Sequence, residues 1–209
     1  MAVFITLEGP DGAGKSSQAA LLGERLRAAG REVVLTREPG GTELGEQVRG
    51  VLLGGGPARD PLADALLFNA ARRQLVDEVI RPALERGAVV ICDRFADSTL
   101  AYQGVAGGAP LDQLRTLADI ATGGLAPSRT VLFDLPVEAG LARRAAGPAG
   151  ERNRFETDAV HDIDFHRRVR EGFLALARAE PGRWRVVDAG RPPAAVAADA
   201  WQAVSDLFD

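Results

Sequence analysis

The chain has 209 residues, with 25 basic against 29 acidic side chains and a net charge of −4. That length suits one well-buried domain, and the charge gives no case for a surface that coats nucleic acid. One cysteine, Cys92, excludes an internal disulfide and a cysteine-rich metal site, and neither a signal pattern nor a bilayer-length apolar run is seen, so a cytoplasmic protein with no membrane partner is expected.

Val3–Leu7 is a β-branched and aromatic run that reads as a buried strand. Gly9-Pro10-Asp11-Gly12-Ala13-Gly14-Lys15-Ser16 follows and matches the phosphate-loop pattern G-x-x-x-x-G-K-[ST]. Behind it Ala19, Leu22, Leu26 and Ala29 recur at helical spacing, and Gly30 is placed to cap that helix. Strand, Gly-rich turn and helix aim backbone N–H groups and a helix N-terminus at phosphate. Lys15 is the only lysine in the chain. A slender ammonium can lie along such a loop where a planar guanidinium cannot. Gly9, Gly12, Ala13, Gly14, Lys15, Ser16 and Ser17 are therefore the candidate nucleotide contacts, and Ser16 is the candidate Mg²⁺ ligand. Asp11 puts a carboxylate inside an anion site, which is repulsive unless it points elsewhere. It either faces water or accepts from a sugar hydroxyl of a second substrate, and the second case demands a two-substrate enzyme.

The second strand is expected at Glu32–Thr36, with Arg37-Glu38-Pro39-Gly40-Gly41-Thr42 at its carboxyl end. Helical patterns run over about 43–53, which carries Arg49, and 61–85. In the latter, Phe68 and Arg72 stand at i and i+4, and Leu75 and Val79 continue their stripe. An aromatic with an Arg one turn away can stack on a base and bond its carbonyl. Periodicity equally allows a core Phe68 and a solvated Arg72. The third strand, Ala88–Cys92, leads into Asp93-Arg94. Asp93 at the tip of an apolar strand is where a Mg²⁺-associated carboxylate belongs, and Arg94 can fork onto phosphate oxygens. Asp134, at the end of Val131-Leu132-Phe133, is a rival with the same look. Cys92 reads as a small buried hydrophobe. Asp97–Gln103 adds Ser98, Thr99, the only tyrosine (Tyr102) and Gln103 close behind.

Turn signals at 54–57, Gly104–Pro110 and Gly123-Gly124 separate the helical patterns, of which the later ones cover 111–122, 137–146, 161–179 and 193–208. The last strands are expected at Thr130–Asp134 and Trp184–Asp188. Arg143, Arg144, Arg152 and Arg154 fall within twelve residues, where the chain average gives about one, and surround Gly147–Gly150. Such a stretch suits a mobile lid at about 143–156 whose arginines close on phosphates. Short apolar strands alternating with helices imply an α/β fold: a three-layer α/β/α sandwich around a parallel sheet of about five strands, in one domain over 1–209. Ligands should sit at the carboxyl ends of those strands.

Gly9–Ser16 with its acid at Asp11, Arg37–Thr42, Asp93-Arg94-Phe95, Asp97–Gln103 and Asn153-Arg154-Phe155-Glu156 together resemble the thymidylate kinase family. The resemblance implies a P-loop nucleoside monophosphate kinase-like fold, Mg²⁺ and ATP as cofactors, dTMP as acceptor, supply of dTTP, and a homodimer. It implies that Lys15 bridges the β- and γ-phosphates, Ser16 and Asp93 hold Mg²⁺, and Arg94 clamps both phosphates. It also implies that Asp11 binds the sugar 3′-hydroxyl, Phe68 stacks on thymine and Arg72 reads its O4. Glu38, Arg49, Ser98, Thr99 and Gln103 would complete the pocket. Tyr102 would crowd the 2′ position, and Arg143 or Arg144 would cover adenine. One branch of the family carries an Arg after the loop acid. This chain has Gly12 there, as in the bacterial type, so Arg152 and Arg154 would supply that charge from the lid. Phe95 stands where Tyr is frequent in the family. A regulatory GTP switch is the rival from another class, but the chain has no Asn-Lys-x-Asp motif because Lys15 is its only Lys.

Overall fold

The computed structural model describes residues 2–54, 58–146 and 163–208. Five strands form one sheet in the order β2-β3-β1-β4-β5: β1 (Val3–Glu8), β2 (Val33–Arg37), β3 (Val89–Asp93), β4 (Arg129–Asp134) and β5 (Trp184–Asp188). All four neighbouring pairs are parallel. β1, β3 and β4 are Val-, Ile- and Phe-rich and nearly all buried, as strands covered on both faces must be. The strand positions hold to within one residue at each end of the expected runs.

The covering helices are α1 (Lys15–Ala28), α2 (Glu43–Leu53), α3 (Pro61–Leu75), α4 (Arg81–Glu85), α5 (Ala96–Thr99), α6 (Leu111–Thr122), α7 (Val137–Ala145), α8 (Ile163–Ala179) and α9 (Pro193–Gln202). On one face, Ile5, Leu7, Ile91 and Phe133 pack against Leu22 and Leu26 of α1 and Val196 and Ala200 of α9. On the other, Phe4, Val90 and Cys92 meet Leu75, Ile80 and Ala83, while Leu132 and Trp184 meet Leu100, Val169 and Phe173. This is the expected three-layer sandwich. Cys92 is a buried free thiol.

Two stretches depart from expectation. The helix expected over 61–85 is interrupted by a π turn at Val76–Ile80, where the N–H of Arg81 reaches back to the carbonyl of Val76. Pro82 has no N–H and its ring crowds the carbonyl four residues back, so the ladder slips by one residue ahead of it. Gly104–Pro110 was expected to be a turn, yet α5 runs on as a π-helical segment, Leu100–Ala106. There the buried face Leu100, Ala101, Tyr102 and Ala106 packs on α8, and tertiary packing overrides the glycine. The last helix is also shorter than 193–208: it ends at Gln202, and a single tight turn follows at Ser205–Leu207.

Strand order reverses about β1, so its carboxyl end opens between β3 and β4. The parallel register sets Leu7 beside Asp93, Asp93 beside Arg37, and Asp134 beside Asp188. The ends of five strands therefore deliver Glu8, Arg37, Asp93, Asp134 and Asp188 to one edge of the sheet.

Candidate active site

The phosphate loop joins β1 to α1 and is fixed by backbone fit. Gly9 has φ 140°, and a Cβ there would lie 2.4 Å from the carbonyl oxygen of Phe133. Gly12 has φ 78°, and a Cβ would lie 2.2 Å from the carbonyl oxygen of Gly140 in α7. The loop is thus pressed against β4 and α7, and no side chain fits at residue 12. Gly14, with φ 84°, caps α1.

Lys15 is 7% exposed and donates through Nζ to the carbonyls of Gly9 (3.0 Å) and Pro10 (2.9 Å). Burial, with Arg94 adding to it, holds its pKa down at about 8. Ser16 donates through Oγ to Oδ2 of Asp93 at 2.5 Å. The two rival carboxylates thus separate: Asp134 is instead forked by Arg170 at 2.6 and 2.8 Å. Asp93 is the acid beside the phosphate loop.

Asp11 is half-buried and engaged by the protein. Its Oδ1 accepts from Arg94 Nη2 at 2.7 Å and its Oδ2 from the Tyr102 hydroxyl at 3.2 Å. Burial by itself would raise its pKa, but Arg94 and Lys15 outweigh that and hold it at about 2. Arg94 Nη2 also donates to the Tyr102 hydroxyl at 3.0 Å, and Nη1 to Ser98 Oγ at 3.1 Å. The guanidinium lies 4.9 Å from the Tyr102 ring centroid. Burial opposes the Arg94 charge, yet Tyr102, Asp11 and Asp93 raise its pKa further. Arg94 has φ 70°, an uncommon conformation for a residue with a side chain. Burial also raises the pKa of the Tyr102 hydroxyl, so it remains a donor at neutral pH.

The Phe68–Arg72 pair is the reverse of a core aromatic beside a solvated cation. Phe68 is half-buried, and Arg72 is 1% exposed. Arg72 forks onto Glu38, with Nε at 3.0 Å and Nη2 at 2.7 Å from Oε2. Its Nη1 donates to Asn69 Oδ1 at 2.8 Å, and Nη2 to Thr99 Oγ1 at 3.1 Å and to the carbonyl of Phe95 at 3.2 Å. Phe95 fills the core edge-on to Phe4. Arg49 Nη1 donates to the carbonyl of Pro39 at 2.9 Å, which follows a cis Glu38–Pro39 bond. Thr99 and Gln103 are buried. Arg143 and Arg144 are exposed at the end of α7, and Arg143 Nη1 donates to the carbonyl of Ala189 at 2.9 Å. Arg152 and Arg154 lie outside the described residues, as does most of the expected lid.

Sequence reasoning missed Glu8, Asn69 and the partner of Asp97. Glu8 is fully buried, and Asp97 is forked by Arg183 at 2.6 and 3.0 Å. The available signal was an acid continuing an apolar strand directly into the phosphate loop. Among the described residues no group of three or more His, Cys, Asp and Glu could hold a metal, and no helix is long and apolar enough to cross a membrane.

The family model for thymidylate kinase matches residues 7–200. A thymidylate kinase of Deinococcus radiodurans is 54% identical over 204 residues, covering 98% of this chain and 97% of its own. One from Thermomicrobium roseum is 53% identical over 208 residues, covering 100% and 97%. A crystal structure of thymidylate kinase from Ehrlichia chaffeensis superposes with a TM-score of 0.78 at 34% identity, over 100% of this chain and 99% of its own. The chain belongs to the thymidylate kinase family.

Proposed function

We propose, from that membership, that this chain transfers the γ-phosphoryl group of ATP to dTMP, giving dTDP and ADP and so supplying dTTP. The observation that carries it is the convergence of Asp11, Arg94 and Tyr102 within 2.7–3.2 Å beside the phosphate loop. A loop that served hydrolysis alone would have no task for a half-buried acid held by Arg94 and Tyr102.

In this reading the loop amides and the start of α1 bind the ATP phosphates, and Lys15 leaves its two carbonyls for the β- and γ-oxygens. A hydroxyl and a carboxylate already in contact, Ser16 and Asp93, suit Mg²⁺, which keeps most of its shell as water and phosphate oxygen. Bound there, Mg²⁺ would neutralise charge on the phosphates. Arg94 lies where donor and acceptor phosphates meet. Each oxygen of Asp11 retains a lone pair for the sugar 3′-hydroxyl. Phe68 stacks on thymine, and Arg72, locked by Glu38, offers its O4 a fixed partner. Arg49, Ser98, Thr99 and Gln103 complete the pocket, Tyr102 blocks a 2′-hydroxyl, and Arg143 or Arg144 covers adenine. Arg152 and Arg154 supply lid charge. No side chain need be deprotonated: positioning and charge neutralisation do the work. The same reading takes the protein as a cytoplasmic homodimer.

The test is ADP release from Mg-ATP with dTMP, dUMP, TMP, dCMP, dGMP, AMP or thymidine as acceptor. Strong turnover with dTMP alone supports the reading. Preference for another monophosphate would overturn the base-pocket assignments, and turnover independent of any acceptor would overturn the kinase reading.

A further inference from the structure

Glu8 ends β1, directly ahead of the phosphate loop, and no part of it reaches solvent. Its Oε1 accepts the Phe95 N–H at 2.8 Å, and its Oε2 accepts the Ser98 hydroxyl at 2.6 Å. A serine hydroxyl has one hydrogen. Burial and the nearby Asp97 push the Glu8 pKa up to about 8. With the Ser98 hydrogen on an ionised Glu8, or the proton of a neutral Glu8 on Ser98, the Ser98 oxygen accepts from Arg94 Nη1 at 3.1 Å. The backbone on both sides of Arg94 is held as well. Its own N–H donates to the carbonyl of Leu7 at 3.0 Å, and the next N–H is the one Glu8 takes. One carboxylate therefore grips Arg94 twice, through the main chain beyond it and through its guanidinium by way of Ser98. Asp11 and Tyr102 hold Nη2. Asp97, the other acid that acts on Glu8, is engaged by Arg183. A buried carboxylate at the end of an otherwise apolar strand costs stability unless it is fully hydrogen-bonded. An apolar residue would serve the core better, so the acid marks a geometric task.

Resting on the reading of Arg94 as the group at the transferring phosphoryl, we infer that Glu8 is a positioning residue. Through Ser98 it sets the plane of the Arg94 guanidinium for phosphoryl transfer. The variant Glu8→Leu keeps the bulk and removes both polar contacts, whichever protonation state the acid holds. It should lower kcat by about tenfold or more while KM for ATP and dTMP stay within about threefold. Ser98→Ala, at a half-buried position, should lower kcat as much and leave KM for ATP within about threefold, while KM for dTMP rises because Ser98 also lines the proposed acceptor pocket. The double variant should fall no more than about twofold below the slower single one, because both act on one chain of contacts. A kcat within about twofold of wild type in either single variant would overturn the inference, and so would multiplying losses in the double. Wild-type turnover is recorded first. Absence of acceptor-dependent turnover would overturn the kinase reading and this inference with it, whereas normal turnover with unaffected variants overturns this inference alone.

Discussion

Lys15 is costly to keep charged in its nucleotide-free position. Burial and the Arg94 charge hold its pKa at about 8, well below the ordinary lysine value of 10.5. Polyphosphate at the loop favours the ammonium and raises that pKa. Binding then prefers the protonated form, so ATP affinity should fall as pH rises above about 8, with proton uptake in that range. Binding heats in buffers of different ionisation enthalpy measure the uptake, and Lys15→Met should abolish it. Undiminished uptake in that variant would assign the proton to another group. Tyr102→Ala should raise turnover of TMP relative to dTMP, and an unchanged ratio would end its role as a sugar filter.

Between elements, the Arg72–Glu38 pair ties α3 to the loop after β2. Both side chains are almost fully buried, so removing one leaves an uncompensated charge. Glu38→Ala should cost about 3–5 kcal/mol in urea unfolding, and replacing both by Met should recover much of it. Glu38→Ala as stable as wild type would contradict the pairing. The phosphate loop and α7 are tied by backbone alone. Gly12→Ala drives a methyl onto the Gly140 carbonyl and should cost about 1–3 kcal/mol and weaken ATP binding. An unchanged KM for ATP would show that the loop can shift without consequence. Gly12, Lys15, Asp93 and Arg94 were legible in sequence because a short apolar strand followed by a fixed spacing specifies them. Arg72 stood out by its spacing from Phe68, but its burial was not legible, since Glu38 reaches it from 34 positions away. Glu8 was hidden because nothing local shows which N–H and hydroxyl will meet it. The helical course of Leu100–Ala106 was hidden for a related reason: Gly104 and the glycines after it argue for a turn, and only α8 shows what the segment packs against.

At the level of the whole molecule, the doubly wound sheet accounts for the gathering of residues that lie far apart in sequence. Parallel register brings the ends of β1, β2 and β3 together, and each contributes to the site: the phosphate loop, Glu38 and Asp93-Arg94. Helix–strand alternation made that architecture readable from sequence, because each apolar run is too short for a helix and lacks the alternation of a half-exposed strand. The proposed homodimer predicts a sedimentation mass twice that of the chain at micromolar concentration, and a monomer mass there would contradict it. The proposed lid charge predicts that Arg152→Ala or Arg154→Ala lowers kcat much more than ATP binding, and unchanged kcat in both would contradict that proposal. The most direct measurement follows the phosphoryl group itself. ATP labelled at the γ-phosphate is mixed with Mg²⁺, dTMP and the protein, and the products are separated. The account predicts the label as the β-phosphate of dTDP, with little inorganic phosphate. Label released as inorganic phosphate at the same rate with or without dTMP would contradict it.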